Sequence, residues 1–121
     1  MLTVESVVRG YHVYKDDWSP SVGDEFELEI EELNRHNRYA VAIKVSGDIV
    51  GHVPHEFSKI VYYFIRNGGR VTGEVRAKRQ RSAVHMKGLE IPCLYKFHSP
   101  SPSKAKKLAS LLRKKELSCI D

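Results

Sequence analysis

One stretch of this chain repeats every three to four residues, and it sits inside a run of segments that repeat every two. In residues 55–67, Phe57, Ile60, Val61, Phe64 and Ile65 fall at i, i+3, i+4, i+7 and i+8. That spacing gathers apolar side chains along one stripe of an α-helix. Pro54 stops the preceding segment and suits a helix start, and Gly68-Gly69 ends the pattern. Residues 25–31 alternate instead: Phe26, Leu28 and Ile30 point one way, Glu25, Glu27, Glu29 and Glu31 the other, as in a half-buried strand. After the helix, Val71, Gly73, Val75 and Ala77 alternate with Thr72, Glu74, Arg76 and Lys78.

The other segments continue the strand pattern. Val4, Val7, Val8, Tyr11, Val13 and Tyr14 make residues 3–14 read as a strand with a bulge or bend at Gly10. Residues 15–23 are loop, with Trp18 placed to cover an open end of the core. Residues 40–45 form a strand of buried type, Ser46-Gly47-Asp48 a turn, and residues 49–53 return as a hairpin. Leu89, Ile91, Cys93, Leu94, Tyr95 and Phe97 make a last strand, which Pro92 assigns to an edge or a bulge. Ser99-Pro100-Ser101-Pro102 is a stiff linker whose last two residues suit an N-cap and first helical position. The closing helix, residues 103–117, gathers Ala105, Leu108, Leu111 and Leu112 on one side, with lysine and arginine over much of the rest. The expected fold is mainly β with helices: a small OB-like, partly open β-barrel of five or six strands, one mid-chain helix and a C-terminal amphipathic helix. The barrel domain is assigned to residues 1–98, and the linker and basic helix to 99–121.

At 121 residues the chain is one domain by size. No run of eighteen apolar residues offers a membrane span. The first residues lack the basic start and apolar block of a secretory signal, so a soluble intracellular protein is the expectation. Cys93 and Cys119 are far apart with no CxxC partner, which argues against a disulfide framework or a cysteine zinc site; Cys93 reads as a buried, inert thiol. No phosphate-binding glycine loop, HExxH or nucleophile with its base is present, so no catalytic residue and no cofactor is assigned and an enzyme is not expected. The four glutamates of residues 25–31 are nearly collinear and do not converge as ligands must; an edge strand protected by charge is the reading. A zinc site from His36, His52 and His55 is a third-ranked functional reading.

Charge points to a partner. The net charge is +5, but six of the fifteen acids fall in residues 24–32; elsewhere twenty bases face nine acids, a balance of +11. A polarised basic chain suits a polyanion, the alternative being a lysine-rich solvated surface. Single strands bind where a basic groove meets aromatic platforms. Tyr14, His36 and Tyr39 are candidate platforms, and Arg9, Arg38, Arg76, Lys78, Arg79 and Arg81 candidate groove-liners.

Three motifs in order carry a family resemblance. They are Val8-Arg9-Gly10-Tyr11-His12-Val13-Tyr14, then Asn34-Arg35-His36-Asn37-Arg38-Tyr39-Ala40-Val41-Ala42-Ile43, then Val50-Gly51-His52-Val53-Pro54 before the helix. Together they resemble the HIRAN domain, over roughly residues 4–97. That family is known as a module of fork-remodelling SWI/SNF-type ATPases, where an OB-like barrel binds single-stranded DNA and captures its 3′-hydroxyl end. The resemblance implies a nucleic-acid-binding site at Arg9, His12, Tyr14, Asn34, His36, Asn37, His52 and His55, with single-stranded DNA as the favoured partner and the nucleus as one setting. Tyr14, Asn34 and His52 match the pattern directly. His12 falls on an arginine position, Val13 on an aromatic, His36 on a tyrosine, Asn37 on the aspartate that accepts from the terminal hydroxyl, and His55 on a lysine. The substitutions at Val13, Asn37 and His55 motivate a second reading, a protein-interaction domain of the same fold in which the C-terminal helix is a docking or self-association surface.

Overall fold

The computed structural model describes residues 2–10, 18–35, 37–77, 80–81, 89–99, 101–114 and 119–120. Among them the order is β1 (Leu2–Val8), β2 (Glu25–Ile30), β3 (Val41–Val45), β4 (Asp48–His52), α1 (His55–Arg66), β5 (Arg70–Val75), β6 (Gln80–Arg81), β7 (Leu89–His98), α2 (Pro102–Lys114) and β8 (Cys119–Ile120). All strand pairings are antiparallel, in the order β4-β3-β2-β5-β7-β1-β8, with β6 on β7. The expected class holds, with one refinement: the sheet does not close into a barrel. Among the described residues its flanks touch at one backbone pair beyond β1. Arg9 N–H donates to the His52 carbonyl at 3.0 Å, and His52 N–H to the Arg9 carbonyl at 2.8 Å.

That seam is produced by the β3–β4 hairpin. Ser46 (φ 53°) and Gly47 (φ 87°) form a two-residue turn between paired Val45 and Asp48. Positive φ at both positions gives the turn the twist of the strands it joins. The register then slips: Ile43 faces Gly51 while Lys44 faces Ile49, leaving Val50 as an extra residue on β4. A bulge of this kind bends its strand, here toward β1. A Cβ on Gly51 would lie 2.4 Å from Val8 Cγ1 and 2.8 Å from the Arg9 carbonyl oxygen. The approach is open only to glycine.

The core lies between the curled sheet and the helices. Tyr95 is at its centre, edge-on to Phe26 (6.0 Å) and Phe57 (5.4 Å), with Trp18 edge-on to Phe26 (6.4 Å) where the loop closes the core. The Tyr95 hydroxyl donates to the Val7 carbonyl at 2.6 Å, so this buried polar group is satisfied. Phe57 and Val61 of α1 are buried as the periodicity requires. Gly69 N–H bonds the Phe64 carbonyl and Gly68 N–H, at φ 90°, the Ile65 carbonyl, a Schellman stop. Ser101 Oγ accepts the Lys104 N–H (3.3 Å) at the start of α2, and Leu108, Ala109 and Leu112 join the same core as the sheet.

Two strand positions differ from expectation. β2 is not an edge: it lies between β3 and β5. Its glutamates face solvent and meet cross-strand cations, Glu29 with Lys44 (3.0 Å) and Glu27 with Arg70 (3.7 Å). Alternating charge marks an exposed face, and such a face does not require an edge. β7 is likewise central, despite Pro92. The Pro92 carbonyl accepts the Arg76 N–H just past the end of β5, so the missing proline donor falls where that ladder stops. Cys93 is buried, and burial pushes its thiol pKa up to about 12. No helix among the described residues is long and apolar enough to cross a membrane.

Candidate nucleic-acid interface

The seam gathers residues from four parts of the chain. Arg9 follows β1, His52 ends β4, residues 31–40 connect β2 to β3, and His55 opens α1. The connection is folded by its own side chains. Glu31 N–H bonds the Ala40 carbonyl (3.0 Å), and Asn34 Oδ1 accepts the Asn37 N–H (2.8 Å). Asn37 Oδ1 accepts the Tyr39 N–H (2.9 Å). These are the local turns that asparagine makes in preference to regular structure.

From that loop a polar chain crosses the seam. Asn34 Nδ2 donates to Glu31 Oε1 (2.7 Å), Glu31 Oε2 meets His52 Nε2 (2.9 Å), and Asn37 Nδ2 lies 3.4 Å from His55 Nδ1. Burial would raise the Glu31 carboxyl, but the bonds from His52 and Asn34 outweigh it and hold the group below its usual range. As a carboxylate, Glu31 accepts from His52 Nε2 and fixes the orientation of the ring. Arg9 ion-pairs with Glu56 of α1 and, at 2.9 Å, with Glu90 of β7, itself 7% exposed. Burial works to lower the Arg9 pKa, and the two carboxylates overcome it. Arg9 therefore joins β1, α1 and β7, its guanidinium facing two carboxylates.

Of the eight sequence-assigned residues, Arg9, Asn34, Asn37, His52 and His55 come together in this way. His12, Tyr14 and His36 lie outside the described residues, as do Val13, Lys78 and Arg79. His36 therefore leaves the three-histidine zinc reading incomplete, and no trio of His, Cys, Asp or Glu among the described residues is placed to hold a metal ion. Glu31 was not singled out by sequence, where it reads as the last member of the alternating strand; it stands one residue past β2 and turns to His52.

Beside the seam the structure adds an aromatic cluster. Tyr39 leaves the loop next to Asn37 and meets Tyr62 (5.3 Å) and Tyr63 (5.7 Å) of α1, which meet each other edge-on at 5.2 Å. Arg38 and Lys59 stand over the Tyr39 ring at 5.5 and 5.2 Å, and Arg66 over Tyr62 at 5.2 Å. A hydrogen bond from Tyr63, helped by Arg38 and Lys59, lowers the Tyr39 hydroxyl pKa, and the same bond raises that of Tyr63 against the pull of Arg38. Tyr39 was a sequence candidate; Tyr62 and Tyr63 lie at the margins of the α1 apolar stripe, and nothing local in the sequence couples them to Tyr39.

This open antiparallel sheet with two helices matches the HIRAN fold. The crystal structure of the HIRAN domain of human HLTF superposes with a TM-score of 0.68 at 17% identity, over 93% of this chain and 88% of that one. The NMR structure of the same domain in its DNA-bound conformation gives 0.70 at 19%, over 94% and 88%. A Lactobacillus plantarum protein gives 0.51 at 16%, over 82% and 94%. No family model and no curated protein matches the chain. At these identities the likeness is one of fold.

Proposed function

We propose that the chain is a non-catalytic nucleic-acid-binding module that takes the end of a single-stranded DNA at the seam between Arg9 and His52. The carrying observation is the convergence of Asn34, Asn37, His52 and His55 on the Arg9–His52 seam, through one polar chain beside a cationic tyrosine cluster. The HLTF domain that shares the fold has a DNA-bound form, and the basic balance outside residues 24–32 favours a polyanion.

Each group has a chemical role in this reading. His52, held by Glu31, and the Asn37 amide contact the terminal sugar. Asn37 Oδ1 already accepts the Tyr39 N–H, so a terminal hydroxyl uses its second lone pair and meets no full negative charge. The start of α1 has no side-chain cap, and its amide N–H groups with His55 suit a phosphate. Tyr39 and Tyr62 offer platforms for the preceding bases, each stack contributing about 1–3 kcal/mol. Arg9 positions the seam. Separately, the exposed side of α2 contacts a protein partner.

Fluorescence anisotropy with short labelled oligonucleotides tests the reading. Single-stranded DNA with a 3′-hydroxyl binds in low salt and weakens as salt rises, with a slope of about −0.7 per phosphate contact. His52→Ala weakens it about tenfold, and Asn37→Asp sharpens the preference for a hydroxyl over a 3′-phosphate end. No binding in low salt refutes the module; equal binding of both ends refutes end capture alone.

A further inference from the structure

Away from the seam, α1 and α2 flank an open groove of about 660 Å³. Ile60, Phe64, Leu108 and Leu111 form its floor, and Tyr63 one wall. Lys59, Lys104 and Lys107 stand among its lining residues, which include no acid. Tyr63 is 43% and Leu111 40% exposed, and with Ile60, Phe64 and Leu108 they line one contiguous apolar strip. No described residue of α2 is acidic, and Lys104 sits in the first turn, where the helix dipole is already positive. The groove therefore combines an apolar floor with a positive potential that its own helices do not neutralise.

We infer that this groove binds an acidic amphipathic peptide segment of a partner protein, its large apolar side chains seated on Ile60, Phe64 and Leu111 and its carboxylates meeting Lys59, Lys104 and Lys107. Helix-in-groove recognition has this form, and the twelve residues of α1 give a wall about 18 Å long. A nucleic acid fits less well. The floor offers aliphatic side chains, the Phe64 ring leans on Phe97 at 5.3 Å, and Tyr63 is engaged by Tyr39 and Tyr62. A second copy docking through its own α2 sets lysine against lysine.

This rests on the protein-contacting role given to α2 and is independent of DNA binding at the seam. The probe is a labelled peptide of about twelve residues, leucines at helical spacing and Asp/Glu elsewhere, titrated against the full chain. Matched peptides carry Asn/Gln for the acids or Ser for the leucines; oligothymidine competes. The acidic leucine peptide is expected to bind, salt-sensitively, at least about tenfold tighter than either matched peptide. Leu111→Asp and the pair Lys104→Glu, Lys107→Glu each weaken it about tenfold, while His52→Ala leaves it unchanged. Leu111, Lys104 and Lys107 are exposed and His52 is half-buried, and thermal melts check the fold; should Leu111→Asp melt early, the lysine pair decides. Equal binding of the Asn/Gln peptide overturns the acidic assignment but leaves a protein-contacting α2. Failure of every peptide overturns both. Displacement by oligothymidine, or a Leu111-dependent dimer that excludes the peptide, overturns the inference in favour of a nucleic acid or a second copy.

Discussion

Gly51→Ala tests the seam itself. The new methyl would stand 2.4 Å from Val8 Cγ1 and 2.8 Å from the Arg9 carbonyl oxygen. Val8 is fully buried and cannot swing into solvent, and Arg9 is held by the paired hydrogen bonds to His52. Relief must therefore come from parting β4 and β1. Overpacking of this sort costs about 1–3 kcal/mol, and weakening two backbone hydrogen bonds adds about 1 kcal/mol each at most. The expected loss is about 2–4 kcal/mol, or a melting temperature lower by roughly 6–15 °C for a domain of this size. Urea denaturation with hydrogen exchange at the Arg9 and His52 amides reads it, both amides losing protection ahead of the rest of β1. Gly47→Ala is the control: φ is 87° there and nothing lies within 4 Å of the added Cβ, so only the left-handed backbone costs, about 1–2 kcal/mol. If Gly51→Ala stays within about 0.5 kcal/mol of the parent, the flanks are not closed by this contact and the account of the site fails with it.

Three further outcomes follow from single groups. The folded-state pKa of Glu31 is depressed, so its stabilisation is present above the unfolded value of about 4.3 and is lost as pH falls through the lower folded value; His52→Ala should flatten that acid limb in pH-dependent melts. The Cys93 thiol, raised to about 12 by burial, should resist alkylation at pH 8 until denaturant is added, as followed on the Cys93 peptide by mass spectrometry. Leu112→Ala, at a fully buried position of α2, should cost about 2–5 kcal/mol in urea titrations; a change typical of a detached tail would contradict the shared core.

The sequence alone determined the elements and the faces they bury. The helix at residues 55–67, its Gly68-Gly69 stop, the hairpin around Ser46-Gly47 and the alternation of residues 25–31 all rest on contacts within a few positions, so they are written locally. The order of three short motifs was enough to indicate the fold. Sequence did not place the strands across the sheet: β2 looked like an edge because an exposed charged face is common there, and β7 like an edge or a bulged strand because of its proline, whereas edge status depends on which distant strands pair. Nor could it show that Arg9 is held by Glu56 and Glu90, that Glu31 leaves its strand to hold His52, or that Tyr39 meets Tyr62 and Tyr63. Those contacts join residues far apart in the chain, and they arise only once the bulge at Val50 bends β4 and Gly51 lets it touch β1. The tertiary structure thus decided the site, because its groups are assembled by the curvature of the sheet and not by their spacing in the chain.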